Sequence, residues 1–537
     1  MGWMQLDLRG AYSAVAGVIP VSTAGRVIRV VGSVVEASGL KAAVGELCTI
    51  ELPARTHRPK RRNELGVACP DDGAPEPDAL HAQAEVIGFH RDSILLMPLT
   101  EVSGICPGAL VRSTLRPLSV RVGEGLLGRI LDGLGRPIDG KGSVRGASFR
   151  PLIARAPGPL DRRRIREPLV TGVRAMDALL TCGQGQRMGI FAGSGIGKSV
   201  LLGSIARHAV ADVNVIALIG ERGREVREFL ERDLGDGLQR SIVVVATSDQ
   251  PALLRIKGTL VALTIAEHFR EQGANVLFMM DSLTRVAMAQ REIGLAAGEP
   301  PTTKGYPPSV FSLMPRLLER VGTSPAGTIT GLFAVLVEAD DMNEPVSDAA
   351  RSILDGHITL SRRLAQLGHY PAIDVLGSVS RVMPDVVSAD HLEAATEIRR
   401  VLAVHAEAED VINLGAYVPG SNPQVDEAIA RLPQIKSFLC QRPDEASLWK
   451  ETIRQVKELG AARTIPAPIE EGVVPEQPPF PNAEDERRMA AVTWAAEQPG
   501  EESNAPSPVT TKGPSPGIMA AGGGKGFPPP GRFFPAG

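Results

Sequence analysis

Eight consecutive residues, Ala192-Gly193-Ser194-Gly195-Ile196-Gly197-Lys198-Ser199, have the composition of a loop that wraps a phosphate. Glycines at 193, 195 and 197 let backbone N–H groups turn inward around an anion, where a side chain would obstruct the geometry. Lys198 supplies a point charge for β- and γ-phosphates, and the Ser199 hydroxyl is a ligand for Mg²⁺. Val200 continues into a helical stretch through residue 208, which presents its positive end to the same anion. The preceding Arg187-Met-Gly-Ile-Phe191 reads as a buried strand. Ala192 stands where the G-x-x-x-x-G-K-[ST] pattern has glycine, and a residue that small leaves the loop intact. A glycine-rich helix entry with a chance lysine is the competing reading; the strand and helix on either side weigh against it.

Three further groups follow in the order a nucleotide site requires. The apolar run Val213–Ile219 delivers Gly220-Glu221-Arg222 at its end. A carboxylate there can polarise a water for in-line attack on a γ-phosphate, and the adjacent arginine can neutralise developing charge. Val276-Leu-Phe-Met-Met-Asp281 is an apolar run ending in an acid, the form of a Walker B strand whose carboxylate meets Mg²⁺. That aspartate also suits a helix N-cap, and both roles are compatible. Ser378-Val-Ser-Arg381 lies too far along the chain to assign by spacing. A site with Lys, Mg²⁺ and Glu still lacks a cation for the transferring phosphoryl group, and an arginine finger fills that gap. A structural arginine is the plainer reading of Arg381 taken alone.

The elements that must position these groups are legible in outline. From about 165 to 385 apolar runs (213–219, 242–245, 276–280, 332–337) alternate with amphipathic stretches, which predicts a mostly parallel sheet flanked by helices, with ligands at the carboxyl ends of its strands. Short β-rich runs broken by glycine over 25–120 read as a small barrel. A basic then acidic stretch at 53–82 interrupts it as a loop insertion. From 390 to about 462 the pattern is helical, most clearly at 392–405 and 445–459. Residues 466–537 hold 15 of the 43 prolines, so the tail cannot bury enough surface to offset its chain entropy and reads as disordered, with some helical character only at 482–496.

Composition bounds the function. With 43% hydrophobic and 22% charged residues and a net charge of −3, the chain is that of a globular protein, and a dedicated nucleic-acid binder is disfavoured. Its five cysteines are scattered without C-x-x-C spacing, so neither a disulfide framework nor a zinc site follows. No run of 18 uncharged apolar residues occurs, and the start of the chain, with its early Asp7, lacks a secretory pattern; a cytoplasmic protein is expected.

Beyond single motifs, Thr171-Gly-Val-Arg-Ala-Met-Asp177, Ile219-Gly-Glu-Arg-Gly-Arg-Glu225, Met280-Asp-Ser-Leu-Thr-Arg285, Gly305-Tyr-Pro-Pro-Ser309 and Ser352-Ile-Leu-Asp-Gly-His-Ile358 resemble the ATPases of bacterial type III protein export. That family is similar to the catalytic subunit of the rotary ATP synthase. Glu299-Pro-Pro-Thr-Thr-Lys-Gly-Tyr-Pro-Pro-Ser309 and Val337-Glu-Ala-Asp-Asp-Met-Asn-Glu-Pro345 resemble the flagellar branch in particular, with the injectisome branch next. The resemblance covers about 20–465. It implies a partner-binding segment at 1–24, a β-barrel at 25–120, a RecA-like P-loop ATPase domain at 121–385, a helical domain at 386–465, and the tail at 466–537 beyond the pattern. It further implies Mg²⁺-dependent ATP hydrolysis in a homohexamer, with Arg381 acting on a neighbour's nucleotide and Tyr370 stacking on the adenine. The implied partners are a stator-like regulatory protein, a central coiled-coil stalk protein, export chaperones and a membrane export gate. The implied location is the inner face of the cell membrane.

Two relatives of other function are weaker matches. A rotary synthase catalytic chain would carry an acidic run where 424–438 mixes charges, and its noncatalytic partner would lack Glu221. A hexameric RNA helicase would need clustered aromatics for base stacking, and aromatic residues are only 4% of this chain.

Overall fold

The computed structural model describes residues 24–52, 81–101, 103–337 and 341–461. The segment before residue 24, nearly all of the 53–82 insertion, residues 338–340 of the second flagellar-like segment, and the 466–537 tail lie outside the described residues.

Alternation of apolar and polar residues forms six strands: β1 (Ala24–Val31), β2 (Val34–Ser38), β3 (Glu46–Glu51), β4 (His81–His90), β5 (Ser93–Pro98) and β6 (Leu110–Pro117). They close into a barrel in the order β1-β2-β5-β4-β3-β6, sealed where Ala24 to Arg26 pair with Arg112 to Leu110. Val35, Ile50, Ala84, Leu96 and Val111 fill the interior, and closure leaves no free strand edge.

The core is built from a second set of strands, the central ones apolar on both faces and so in need of cover on both sides. These are β7 (Ile130–Asp132), β8 (Arg187–Ala192), β9 (Val213–Ile219), β10 (Ser241–Ala246), β11 (Asn275–Asp281), β12 (Thr328–Leu336), β13 (Gly356–Leu360) and β14 (Ile373–Ser380). They form one sheet in the order β14-β13-β8-β12-β11-β9-β10-β7, with the short strand Gly322–Thr323 alongside β12. Neighbours are parallel from β13 to β7, and β14 runs antiparallel on the far edge. Every residue of β9 and β10 is buried. Phe191, Phe278 and Phe333 are among the largest fully buried side chains, each worth about 1.5–3 kcal/mol over an exposed ring.

Helices α1 (Lys198–His208), α2 (Ala252–Glu271) and α3 (Leu283–Ala296) follow β8, β10 and β11. Two buried ion pairs anchor α2. Lys257 Nζ meets Glu85 of the barrel at 2.5 Å, and Glu267 receives Arg320 at 2.6 Å. The first fixes barrel to core, and burial pushes the Glu85 carboxyl up against the pull of Lys257. Helices α4 (Ala389–Asn413), α5 (Pro423–Leu439) and α6 (Trp449–Ala461) form the C-terminal layer. The second of its clear helical patterns begins later than the sequence suggests: residues 445–448 are irregular and the helix starts at Trp449, because the backbone and side chain of Glu445 are taken up by Gln441, Arg442 and Arg174. Among the described residues no helix is long and apolar enough to cross a membrane.

Candidate active site

Three strands end at one place. β8 releases the glycine-rich loop, β9 releases Gly220-Glu221, and β11 ends in Asp281. The loop turns through Gly195 (φ +78°) and Gly197 (φ +94°), left-handed conformations that disfavour a side chain, and Gly197 caps α1. Gly193 is absent from the positive-φ positions and is buried instead. Ala192 is the last residue of β8, buried, with its carbonyl accepting from Val337 N–H at 3.0 Å. Ser194 is exposed, Ile196 buried, and Ser199 and Val200 lie half-buried in the first turn of α1.

Lys198, Glu221 and Asp281 converge. Lys198 Nζ lies 2.5 Å from Asp281 Oδ1 and 4.0 Å from Glu221 Oε1. All three side chains are largely withdrawn from water, with exposures of 12%, 17% and 6% for Lys198, Glu221 and Asp281. Burial pulls the Lys198 ammonium down, but the charges of Asp281 and Glu221 outweigh it and hold the group above its usual range. Glu221 moves to about 7, mainly through burial and then through the charge of Asp281, against the pull of Lys198. A base poised near neutrality beside a cation is suited to accept a proton from water.

Gly220 makes this placement feasible. It turns at φ +75°, its N–H donates to Ala246 O at 2.6 Å, and Ser248 N–H donates to Glu221 O at 3.0 Å. A Cβ at Gly220 would stand 2.6 Å from Arg285 Cβ. That near contact points to a residue the sequence reading did not single out. Arg285 sits in the first turn of α3, which Ser282 caps by accepting Arg285 N–H at 3.4 Å. Its Nε is buried with no hydrogen-bond partner, and its charge acts on both Lys198 and Glu221. A signal was present: the serine directly after the strand-end acid reads as a helix N-cap, which places Arg285 in the first helical turn beside the site.

Arg222 is placed differently. Its side chain is 71% exposed and pairs with Glu225 at 2.8 Å, so the structure does not bring it to the cluster, and Arg285 is the inward cation.

Tyr370 stands beside the loop: a Cβ on Gly197 would meet Tyr370 Cε1 at 3.8 Å. Together with Ile196, Val200, Pro371, Arg442 and Pro443 it lines a mostly apolar cleft. The wall at 441–443 comes from the C-terminal layer, some seventy residues past Tyr370, and no local pattern in the sequence marks it.

Arg381 lies elsewhere. Ser380 pairs with Gly356, and His357 of the same strand is level with Gly189, so β14 ends about four residues below the loop. At about 3.3 Å per residue and 4.8 Å per strand, Arg381 starts roughly 19 Å from the end of β8. It is exposed and cannot touch its own loop.

The oxygen donors beside Lys198, the Ser199 hydroxyl and the Asp281 carboxylate, suit a small hard cation held jointly with phosphate oxygens. A barrel, a parallel sheet with a phosphate loop, and strand-end acids beside that loop define a P-loop nucleotide-binding protein with a RecA-like core. The comparisons place it further. Residues 172–380 match the ATP synthase alpha/beta family nucleotide-binding domain, residues 27–114 its beta-barrel domain, and residues 387–458 the T3SS EscN ATPase C-terminal domain. The flagellum-specific ATP synthase of Bacillus subtilis is 52% identical over 436 residues, 81% of this chain and 94% of the relative. The type 3 secretion system ATPase of Xanthomonas euvesicatoria is 50% identical over 430 residues, 80% and 92% of the two chains. The assembled ATPase EscN of the enteropathogenic E. coli type III secretion system superposes with a TM-score of 0.73 at 44% identity, over 81% of this chain and 100% of EscN. EscN has also been solved in complex with its central stalk EscO, with a TM-score of 0.71. The chain belongs to the family of flagellum-specific ATP synthases and type 3 secretion system ATPases.

Proposed function

We propose that this chain is the ATPase of a flagellar type III protein export apparatus, hydrolysing ATP with Mg²⁺ to release, unfold and export flagellar proteins. The observation that carries the catalytic part is the buried Lys198–Asp281–Glu221 cluster beside the phosphate loop. Support for the export part comes from the 52% identity to a flagellum-specific relative. An injectisome ATPase is the second reading, favoured by the 50% identity to a type 3 secretion relative. Loss of swimming with intact effector secretion on deletion supports the first, and the converse supports the second.

In this reading the loop N–H groups and Lys198 hold the β- and γ-phosphates, so the ammonium exchanges Asp281 for the nucleotide. Glu221 accepts a proton from the attacking water as its oxygen bonds to the γ-phosphorus and the bond to ADP breaks. Arg285 neutralises charge from within the site, and Tyr370 stacks on the base. Ser199 and Asp281 would hold Mg²⁺, which would supply further neutralisation of the phosphates. Lys198→Ala should weaken ATP binding at least about tenfold, as loss of a charge-assisted contact to phosphate does; unchanged affinity by fluorescence titration removes Lys198 from this role.

The reading includes a homohexamer. An exposed Arg381 out of reach of its own loop, on an edge strand that also exposes Leu376 and Val379, suits a surface completed by a second copy. By likeness to EscN and its stalk EscO, a coiled-coil stalk would occupy the ring centre. A stator-like regulator, export chaperones and a membrane export gate belong to the same proposal, which places the ring at the inner face of the membrane. The test is ATP hydrolysis over a protein concentration series with mass followed by light scattering. Specific activity should rise as hexamers form. Full activity in a monomer would leave the loop's role standing and overturn the ring.

A further inference from the structure

One guanidinium holds the turn that supplies the far wall of the cavity. Arg174, at the start of the short helix Arg174–Leu179, has a side chain only 16% exposed. Its Nε donates to Phe438 O at 2.8 Å, one terminal nitrogen donates to Cys440 O at 2.5 Å, and the other pairs with Glu445. Two of these acceptors are carbonyls at the C-terminal end of α5, where helices leave such groups unpaired and favour a cation.

The clamp extends into the cavity through backbone bonds. Arg174 N–H donates to Gln441 Oε1 at 2.7 Å, and Gln441 Nε2 donates to Gly172 O and Glu445 O, each at 2.7 Å. Gln441 N–H donates to Tyr370 O at 2.8 Å, and Glu445 accepts Arg442 N–H at 3.3 Å. The fixed end is as firmly held. Asp177, with 0% exposure, accepts Thr171 N–H, Thr171 Oγ1 and Gly172 N–H at 2.8, 2.7 and 3.0 Å.

We propose that Arg174 is a positioning residue for the nucleotide base: its planar fork sets the 438–445 turn, and that turn sets the width of the slot between residues 441–443 and Tyr370. The inference rests on the reading of that cavity as the base site. A lysine replaces it only in part, since its three N–H groups radiate from one nitrogen and cannot reach acceptors spread over the three nitrogens of a planar fork. Arg174 touches no part of the phosphate cluster, so its effect is confined to the base end of the nucleotide.

That confinement is what the test reads. In the full chain, Arg174→Ala should weaken ATP binding about tenfold, the scale of several charge-assisted bonds lost from one clamp. Inhibition by inorganic tripolyphosphate, which has no base, should stay within about twofold, and kcat at saturating ATP within about threefold. Arg174→Lys should recover only part of the ATP affinity. Should Arg174→Ala fail to fold, Glu445→Ala removes one prong at a half-exposed position and should weaken ATP about threefold, again sparing tripolyphosphate. Equal losses for ATP and tripolyphosphate would mean general damage and overturn the proposal. No loss for ATP, while Tyr370→Ala weakens it, would overturn the clamp and leave the base site standing. No loss in either variant would remove the base site itself, and the clamp with it.

Discussion

Glu221→Gln should lower ATP turnover by at least about a hundredfold while leaving nucleotide affinity unchanged or slightly tighter. The substitution keeps size and hydrogen bonding but removes the carboxylate proposed to take a proton from water. It also removes a negative charge 4.0 Å from Lys198, which leaves the ammonium freer to hold phosphate. Phosphate release under saturating ATP reads the first effect, and titration with a fluorescent nucleotide reads the second. Undiminished hydrolysis would take Glu221 out of the mechanism. Equal loss of turnover and affinity would mean instead that the carboxylate maintains the shape of the loop.

The second large effect concerns Arg381. An arginine supplied across a subunit boundary contributes about 10³–10⁵ to phosphoryl transfer, so Arg381→Ala should nearly silence hydrolysis although the residue touches nothing in its own site. Complementation isolates the claim. In an equal mixture of Arg381→Ala and Glu221→Gln chains, random assortment in a symmetric ring pairs an intact Glu221 with an intact neighbouring arginine at about a quarter of interfaces. Hydrolysis should therefore recover to a corresponding fraction of the native rate. Silence at every mixing ratio, with hexamers present by light scattering, would exclude action between subunits.

How far the sequence carried these conclusions depends on the kind of signal. The phosphate loop, Glu221 and Asp281 are local: each is a strand end, and strand ends are written in apolar runs that stop at a glycine or an acid. The parallel core and barrel were legible for the same reason, since buried strands and half-buried strands differ in period. Arg222 shows where locality misleads. Its neighbour Glu221 turns inward, but the helix beginning at Gly223 directs Arg222 to Glu225 and water. Arg285 was missed because it needed one more inference, that the serine after Asp281 caps a helix and so aims its first turn back at the site. The wall at 441–443 was out of reach altogether. It depends on how α5 and α6 pack against the core, a tertiary fact set by Arg174 and Asp177 rather than by any pattern near residue 441.

β14 begins just past Tyr370 and ends just before Arg381. It is eight residues long, but it spans only the five residues Gly356–Leu360 of β13, about 13 Å at strand spacing, because residues 375–378 are out of register with that neighbour. One end borders the cavity proposed for the base, and the other stands at the exposed edge proposed to meet a second copy. The bulge leaves slack between them, so a displacement at Tyr370 and Pro371 is taken up at 375–378 before it reaches Arg381. Base occupancy in one subunit and the arginine offered to the next would then be set independently of each other.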